Sequence, residues 1–200
     1  MVQHPATVDR AGRYSYRVGD LPYRSYTSRE QALANARRLV DEGGADMVKL
    51  EGGVAMAGIV EHLVGQGIPV CGHIGLLPQS IEELGGYRVQ GHGAEAARDI
   101  LADAHALQAA VAGLLVMECI PATLGAEITA DLEIPTIGIG AGPDCDGQVL
   151  VLYDMLGITQ GRLPRFVKNF MDEGGSIPAA IMSYVDAVRE GRYPAPEHTY

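Results

Sequence analysis

The sequence lacks several features that mark common protein classes. It has no Trp and only two Phe among 200 residues, so a buried core must be mainly aliphatic. Lys and Arg number 15 against 25 Asp and Glu, and the net charge of −10 argues against a nucleic-acid groove, which needs clustered cations. The three cysteines form no C-x-x-C pair, which argues against zinc and favours a reducing compartment.

Targeting and membrane signals are also missing. No apolar run reaches the ~18 residues that a membrane-spanning helix needs. Residues 1–10 contain no apolar signal core, so no secretion signal is expected. The length suits a single domain over residues 1–200, and the sequence predicts a cytoplasmic protein without membrane or nucleic-acid partners.

What the sequence does contain is a repeated pattern of an apolar run followed by a helical pattern. Thr27 and Glu30 have the spacing of a capping box before the first helix. Most of the runs are apolar throughout, which favours a parallel sheet buried on both faces. Strands are predicted at 14–18, 47–50, 68–71, 114–117, 134–139 and 148–152, and C-terminal helices at about 165–171 and 177–189.

These six strand signals fall short of a closed (β/α)8 barrel, which has eight strands and typically about 250 residues. Each βα unit takes roughly 30 residues, so the difference in length is close to two units. Either the sheet is open, or this chain lacks two strands of a barrel.

Ionisable side chains follow successive predicted strands. They are Asp20, Lys49 with Glu51, His73, and Glu118. The carboxyl ends of parallel strands meet at one edge of a sheet, where such folds place their active sites. A lone acid there is more often a helix cap or a surface group, but four successive instances favour a shared site.

Each of these residues has a chemical interpretation and a structural alternative. Asp20 and Glu51 form a carboxylate pair of the kind Mg²⁺ prefers, or each caps a loop or forms a salt bridge. Lys49 lies two residues before Glu51, so both side chains share a strand face, as a substrate contact or as a buried ion pair. Apolar neighbours favour the neutral form of the Glu118 carboxyl, which suits a general acid or base, and its alternative is a helix cap. His73 is equally compatible with a site-lining and a structural role.

Two further motifs are weaker. The glycines at 138, 140 and 142 follow a strand, but Pro143 stands where a dinucleotide-binding motif needs its third glycine. Close backbone packing is the better interpretation of that stretch. Cys119 is a conceivable nucleophile, but the sequence ties no base to it, so a packed thiol is favoured.

Several strings, in order along the chain, resemble the ketopantoate hydroxymethyltransferase (3-methyl-2-oxobutanoate hydroxymethyltransferase) family. They are Asp20-Leu-Pro-Tyr, Val48-Lys-Leu-Glu-Gly-Gly, Gly72-His-Ile-Gly-Leu-Leu-Pro-Gln-Ser, Gly86-Tyr-Arg-Val-Gln-Gly, Glu118-Cys-Ile-Pro, Ile137-Gly-Ile-Gly-Ala-Gly, Asp154-Met-Leu-Gly and Lys168-Asn-Phe. The second and third strings are long enough to be specific.

The resemblance implies a (β/α)8 TIM-barrel enzyme of pantothenate and coenzyme A biosynthesis. It implies a Mg²⁺-dependent transfer of a one-carbon unit from 5,10-methylenetetrahydrofolate to 3-methyl-2-oxobutanoate, giving 2-dehydropantoate through a metal-chelated enolate. Carried over by motif, Asp20 and Glu51 resemble metal ligands, Asp20 and Lys49 resemble substrate contacts, and Glu118 resembles the catalytic acid or base. Family members are usually decamers, so a homo-oligomer is implied.

The match departs from the family at the N-terminal side. The family has two further βα units, the second ending in a Gly-Asp-Ser motif, and this sequence contains no such motif. We therefore expect about six of the eight βα units plus the C-terminal helices, forming an incomplete barrel domain. A related Mg²⁺-dependent keto-acid lyase or mutase, or a non-catalytic truncated remnant, remain the alternatives.

Overall fold

The computed structural model describes residues 28–78 and 86–200 in full, and the backbone of three further strands before them. Eight strands form one sheet in the order β3-β2-β1-β4-β5-β6-β7-β8. The strands are β1 His4–Val8, β2 Tyr14–Arg17, β3 Arg24–Tyr26, β4 Val48–Glu51, β5 Val70–Gly75, β6 Leu114–Glu118, β7 Thr136–Ile139 and β8 Gly147–Gln148. The order ends at β3 on one side and at β8 on the other.

Helices separate most of the strands from β4 onward. The α-helices described are α1 Arg29–Asp41, α2 Val54–Gly65, α3 Ala94–Ala109, α4 Ala122–Asp131, α5 Leu152–Met155, α6 Met171–Gly174 and α7 Ile177–Arg189. A short 3₁₀ helix, Pro196–His198, follows. Within the part of the chain that the structure describes, no helix is both long and apolar enough to cross a membrane.

The parallel sheet predicted from the apolar runs is present in β4 to β8, whose pairings are all parallel. The architecture is therefore α/β. The strand predicted at 14–18 exists as β2, but it runs antiparallel to both β1 and β3. The parallel neighbour of β4 is instead β1. Polar and apolar residues alternate in β2, which is typical of antiparallel strands rather than of strands buried on both faces.

Several other boundaries differ from the prediction, including that of the strand predicted at 68–71, which is β5 Val70–Gly75 and contains His73. Ser28, not Thr27, caps α1, because its hydroxyl accepts a hydrogen bond from the Gln31 backbone N–H at 3.2 Å. The apolar run at 148–152 supplies only the end of β8 before α5 begins. The helix predicted at about 165–171 is absent, although α7 matches its predicted limits.

Asn169 explains why the segment before α6 does not continue as a helix. Its side-chain oxygen accepts a hydrogen bond from the Met171 N–H at 3.0 Å, a local bond that competes with helical pairing. The Phe170 N–H donates to the Met155 carbonyl at 2.8 Å instead of to its own turn. Phe166 and Phe170 are four residues apart, as on one face of a helix, but both are buried from non-helical segments that pack on the core.

Alternate residues of β4, β5 and β6 build the main core. The residues on one sheet face are apolar and at most 4% exposed: Val48, Leu50, Val70, Ile74, Leu115 and Met117. They belong to one cluster with buried residues of the helices, including Met56, Leu63, Leu107 and Ile128. A second cluster forms around Phe170, where the C-terminal helices pack. The first cluster fixes the strands, so that the opposite face of the sheet is free to carry polar groups.

Candidate active site

Of the ionisable residues predicted at strand ends, the four that the structure describes, Lys49, Glu51, His73 and Glu118, lie on one face of the sheet. The register pairs Glu51 with His73 across β4 and β5, and His73 with Val116 across β5 and β6. Paired residues share a face, and so do residues two apart along a strand. This rule places Lys49 with Glu51, and Glu118 with Val116, on the face opposite the helix-packed core.

Four side chains from three strands form a connected polar cluster there. Lys49 Nζ lies 3.2 Å from His73 Nδ1 and 3.9 Å from Glu51 Oε1. His73 Nδ1 lies 3.8 Å from Glu51 Oε1, and His73 Nε2 lies 3.1 Å from Glu118 Oε2. His73 is thus the central member, with a cation and two carboxylates around its ring.

Burial determines the protonation of His73. Its side chain is 1% exposed, and this burial lowers its pKa, against an opposite influence from Glu118. The imidazole is therefore held in its neutral form, in which one ring nitrogen accepts and the other donates. Lys49 approaches Nδ1 as a donor, which assigns the proton to Nε2 on the Glu118 side. The Nε2 atom is buried and its N–H is not well directed at the carboxylate, so the pair is a close polar contact rather than a formed hydrogen bond.

The backbone around Glu118 is held in place by its neighbours. The Leu76 N–H donates to the Glu118 carbonyl at 2.8 Å. Gly75 has φ +88°, and a Cβ at that position would lie 2.1 Å from the same carbonyl oxygen. Cys119 adopts φ 55°, a left-handed conformation that ends the strand directly after Glu118. These contacts fix the point at which the Glu118 carboxyl leaves the sheet.

Asp103 supports the segment after Glu51, and sequence reasoning did not identify it. Its Oδ1 accepts a hydrogen bond from the Val54 N–H at 2.7 Å, across 49 residues of chain. Gly53 makes room for it, because a Cβ there would lie 1.9 Å from the Asp103 carboxyl carbon. Asp103 stands inside an apolar helical pattern, so only its distance from Gly53 in the folded chain could have revealed this capping role.

The predicted metal ligands are represented here by Glu51 alone, since Asp20 lies outside the described residues. Among the residues that the structure describes, no three His, Cys, Asp or Glu side chains are grouped as a metal site. Mg²⁺ takes only one or two carboxylates and fills its other positions with water and substrate oxygens. A carboxylate at the sheet edge, 2% exposed and beside a lysine, is a suitable oxygen donor for that ion. Glu51 could therefore supply one of the one or two carboxylates that Mg²⁺ takes, and the described residues form no closed all-protein cage.

The two weaker motifs agree with close packing. A Cβ at Gly140 would lie 2.5 Å from the Phe166 ring, and one at Gly142 would lie 2.6 Å from Ala122. Cys119 is fully buried, and burial raises the pKa of its thiol to about 11. A thiol that remains protonated at neutral pH is a poor nucleophile.

Comparisons with known proteins agree with the motif resemblance. The family model described as ketopantoate hydroxymethyltransferase matches residues 1–196. A 3-methyl-2-oxobutanoate hydroxymethyltransferase of Alkalilimnicola ehrlichii is 54% identical over 200 residues, which cover 100% of this chain and 72% of that protein. Proteins of the same name from Nitrosococcus oceani and Halorhodospira halophila are each 53% identical over the whole chain, which spans 76% and 72% of their lengths.

Proposed function

Since the chain belongs to the ketopantoate hydroxymethyltransferase family, whose fold is of the TIM-barrel type, we propose that it makes 2-dehydropantoate. The reaction combines 3-methyl-2-oxobutanoate, 5,10-methylenetetrahydrofolate and water, and releases tetrahydrofolate. The observation that carries the proposal is the cluster of Lys49, Glu51, His73 and Glu118 at one sheet edge. It supplies the cation, oxygen donor and proton acceptor that an aldol-type addition to a keto acid requires.

Lys49 is the proposed anchor for the keto acid. The substrate is a carboxylate, and an ammonium group 34% exposed at the mouth of the site can pair with it while remaining held by Glu51. His73 Nδ1 accepts from the same ammonium and limits its rotation. Binding at this point orients the substrate relative to the sheet. Asp20 is the second proposed substrate contact, on the resemblance alone.

Glu118 is the proposed proton acceptor. Its carboxylate removes the proton from C3 of the keto acid, and the electron pair of the broken C–H bond moves into the enolate. The C3 carbon then forms the new C–C bond with the one-carbon unit, whose two C–N bonds to the folate are broken. Water supplies the hydroxyl oxygen, and the released tetrahydrofolate takes up the two protons at its nitrogens. Apolar neighbours exclude water from the Glu118 strand end, where Met117, Cys119 and Ile120 are fully buried. His73 Nε2 lies 3.1 Å from this carboxylate and forms a close polar contact with it.

Glu51 and Asp20 are the residues that would hold Mg²⁺. When bound, this ion supplies Lewis-acid chemistry, because it polarises a carbonyl oxygen and stabilises negative charge that develops there. We further propose that residues 1–200 form a single barrel domain that assembles as a homo-oligomer. A cytoplasmic location stays a prediction.

The test is a reconstitution with purified protein, Mg²⁺, 3-methyl-2-oxobutanoate and 5,10-methylenetetrahydrofolate, with 2-dehydropantoate measured by mass spectrometry. We expect product that depends on all three additions. Turnover of the keto acid without the folate would favour a lyase or mutase instead. A folded protein that neither forms product nor binds the keto acid with Mg²⁺ would contradict the proposal and support a non-catalytic role.

A further inference from the structure

A second feature of the structure is an open cavity of about 410 Å³ beside the polar cluster. Its lining brings together three segments that are distant in sequence. The residues that concern its chemistry are Tyr87, Arg162, Leu163, Arg165 and Tyr200. The cavity therefore has two guanidinium groups and two phenol rings in a chain whose net charge is −10.

Backbone contacts attach both sides of this cavity to the turn that follows Glu118. On one side, the Gln90 N–H donates to the Cys119 carbonyl at 2.8 Å. On the other, the Ala122 N–H donates to the Tyr200 carbonyl at 3.0 Å, and the Tyr200 hydroxyl accepts from the Arg165 N–H at 3.2 Å. The cavity thus opens next to the proposed proton acceptor rather than on a remote surface.

Electrostatics agree with this placement. Burial raises the pKa of Tyr87, and the negative charge of Glu118 is the next largest cause, followed by that of Asp154. Tyr87 therefore lies within electrostatic reach of Glu118. Its side chain is nevertheless 51% exposed, so a ring face is accessible from the cavity.

The two arginines have different roles in the cavity. Arg165 holds the C-terminal residues in place. Its Nη1 donates to the Thr199 carbonyl at 2.9 Å, and its guanidinium lies 5.5 Å from the Tyr200 ring centroid. Arg162 is exposed and forms no ion pair with any residue in the described part of the chain. One cation is thus structural, whereas the other remains available to an anion.

We propose that this cavity binds the aminobenzoyl-glutamate end of the one-carbon donor, with Arg162 pairing with a glutamate carboxylate and Tyr87 contacting the benzoyl ring. The assignment rests on the proposed function, because it deepens the folate specificity of the same site. A ligand bound this way would extend from the solvent side of the cavity toward Glu118. The aromatic ring of this ligand matches the phenol rings near the site, and the carboxylates at its far end match the exposed guanidinium of Arg162.

The experiment compares two donors that differ only in the glutamate, 5,10-methylenetetrahydrofolate and 5,10-methylenetetrahydropteroate. With the folate donor, Arg162→Gln is expected to raise KM about tenfold, as expected for the loss of one charge-assisted pair. The kcat and the KM for 3-methyl-2-oxobutanoate should stay within twofold. With the pteroate donor, the same substitution should change nothing. Arg189→Gln, at an exposed position on α7, is the matched control.

Calorimetry with tetrahydrofolate, tetrahydropteroate and inorganic phosphate gives a readout independent of turnover. We expect Arg162→Gln to weaken tetrahydrofolate binding about tenfold and to leave tetrahydropteroate binding unchanged. Equal losses with both ligands, no loss with either, or phosphate binding alone would overturn the assignment. If the unaltered protein makes product and Arg162→Gln is silent, only this inference fails. If the unaltered protein binds tetrahydrofolate through Arg162 but makes no product, only the proposed function fails.

Discussion

The two faces of the parallel sheet use alternate residues of the same strands for different purposes. In β4, Leu50 packs into the helix-covered core at 3% exposure, whereas Lys49 and Glu51 on either side of it join the polar cluster. In β6, Met117 is fully buried in the core, and the next residue is Glu118. Neighbouring residues of one strand thus serve the core and the polar cluster in turn, so substitutions on the two faces should have opposite effects on stability and on kcat.

The largest expected effect is on the polar face. Glu118→Gln keeps the size of the side chain but removes the proton acceptor, so kcat should fall by about 10²- to 10⁴-fold. The free energy of unfolding should change by less than about 1 kcal/mol. Enzyme assays and urea denaturation measure the two quantities. Glu127→Gln, an exposed substitution on α4, is the control, and an equal loss of kcat there would contradict the role of Glu118.

The opposite pattern is expected for the apolar face. Leu115 of β6 is fully buried in the core against the helices, and Leu115→Ala should lower the free energy of unfolding by about 2–5 kcal/mol. Below the denaturation midpoint, kcat per folded molecule should remain within a few fold. Leu152→Ala, at a position 48% exposed, should cost less than about 0.5 kcal/mol in the same urea titration. Equal destabilisation by both would contradict the assignment of the core face.

Gly75 packs against the backbone carbonyl of Glu118. Gly67, which has a similar φ but no such neighbour, is a matched control for the effect of this contact. Gly67 and Gly75 both have positive φ, at +80° and +88°, but only Gly75 has the Glu118 carbonyl where a Cβ would stand. Gly67→Ala should cost about 1–2 kcal/mol of stability from the left-handed conformation alone. Gly75→Ala should cost more and should also lower kcat at least tenfold, because the Glu118 backbone must move. Unchanged kcat in folded Gly75→Ala would show that this contact does not position Glu118.

The smallest effect is expected at the thiols. Burial raises the pKa of Cys71, Cys119 and Cys145 to about 11 in each case, so all three remain protonated near neutral pH. Cys119→Ser should retain kcat within about threefold, because the thiol is not a nucleophile in the proposed reaction. Alkylation by iodoacetamide at pH 8 should be slow in the native protein and fast in urea. A loss of kcat above 100-fold in folded Cys119→Ser would contradict this prediction and support Cys119 as a nucleophile.

The strand ends were predictable because their signals are local. An unbroken apolar run precedes Glu118, and a run interrupted only by Lys49 precedes Glu51; each run marks a strand and the point at which it ends. The period of two also predicted that Lys49 and Glu51 share a face. The family strings pointed to the same residues, and the family membership they implied is confirmed.

What the sequence could not predict depends on contacts between distant segments. The choice between a site-lining and a structural His73 depends on register, which places Glu51 beside it in β4 and Glu118 near it in β6. The cap from Asp103 to Val54 spans α2 and β5, and no local pattern marks it. The alternation in β2 is typical of an antiparallel strand, but no local pattern identifies β1 and β3 as its partners.

Proton exchange at C3 of 3-methyl-2-oxobutanoate tests the central claim most directly, because it requires the proposed proton acceptor and no one-carbon donor. The protein would be incubated with the keto acid and Mg²⁺ in D₂O, and loss of the C3 proton signal followed by NMR. We predict exchange by the unaltered protein, and a rate at least 100-fold lower in Glu118→Gln. Equal exchange rates in the two folded proteins would contradict the assignment of proton transfer to Glu118.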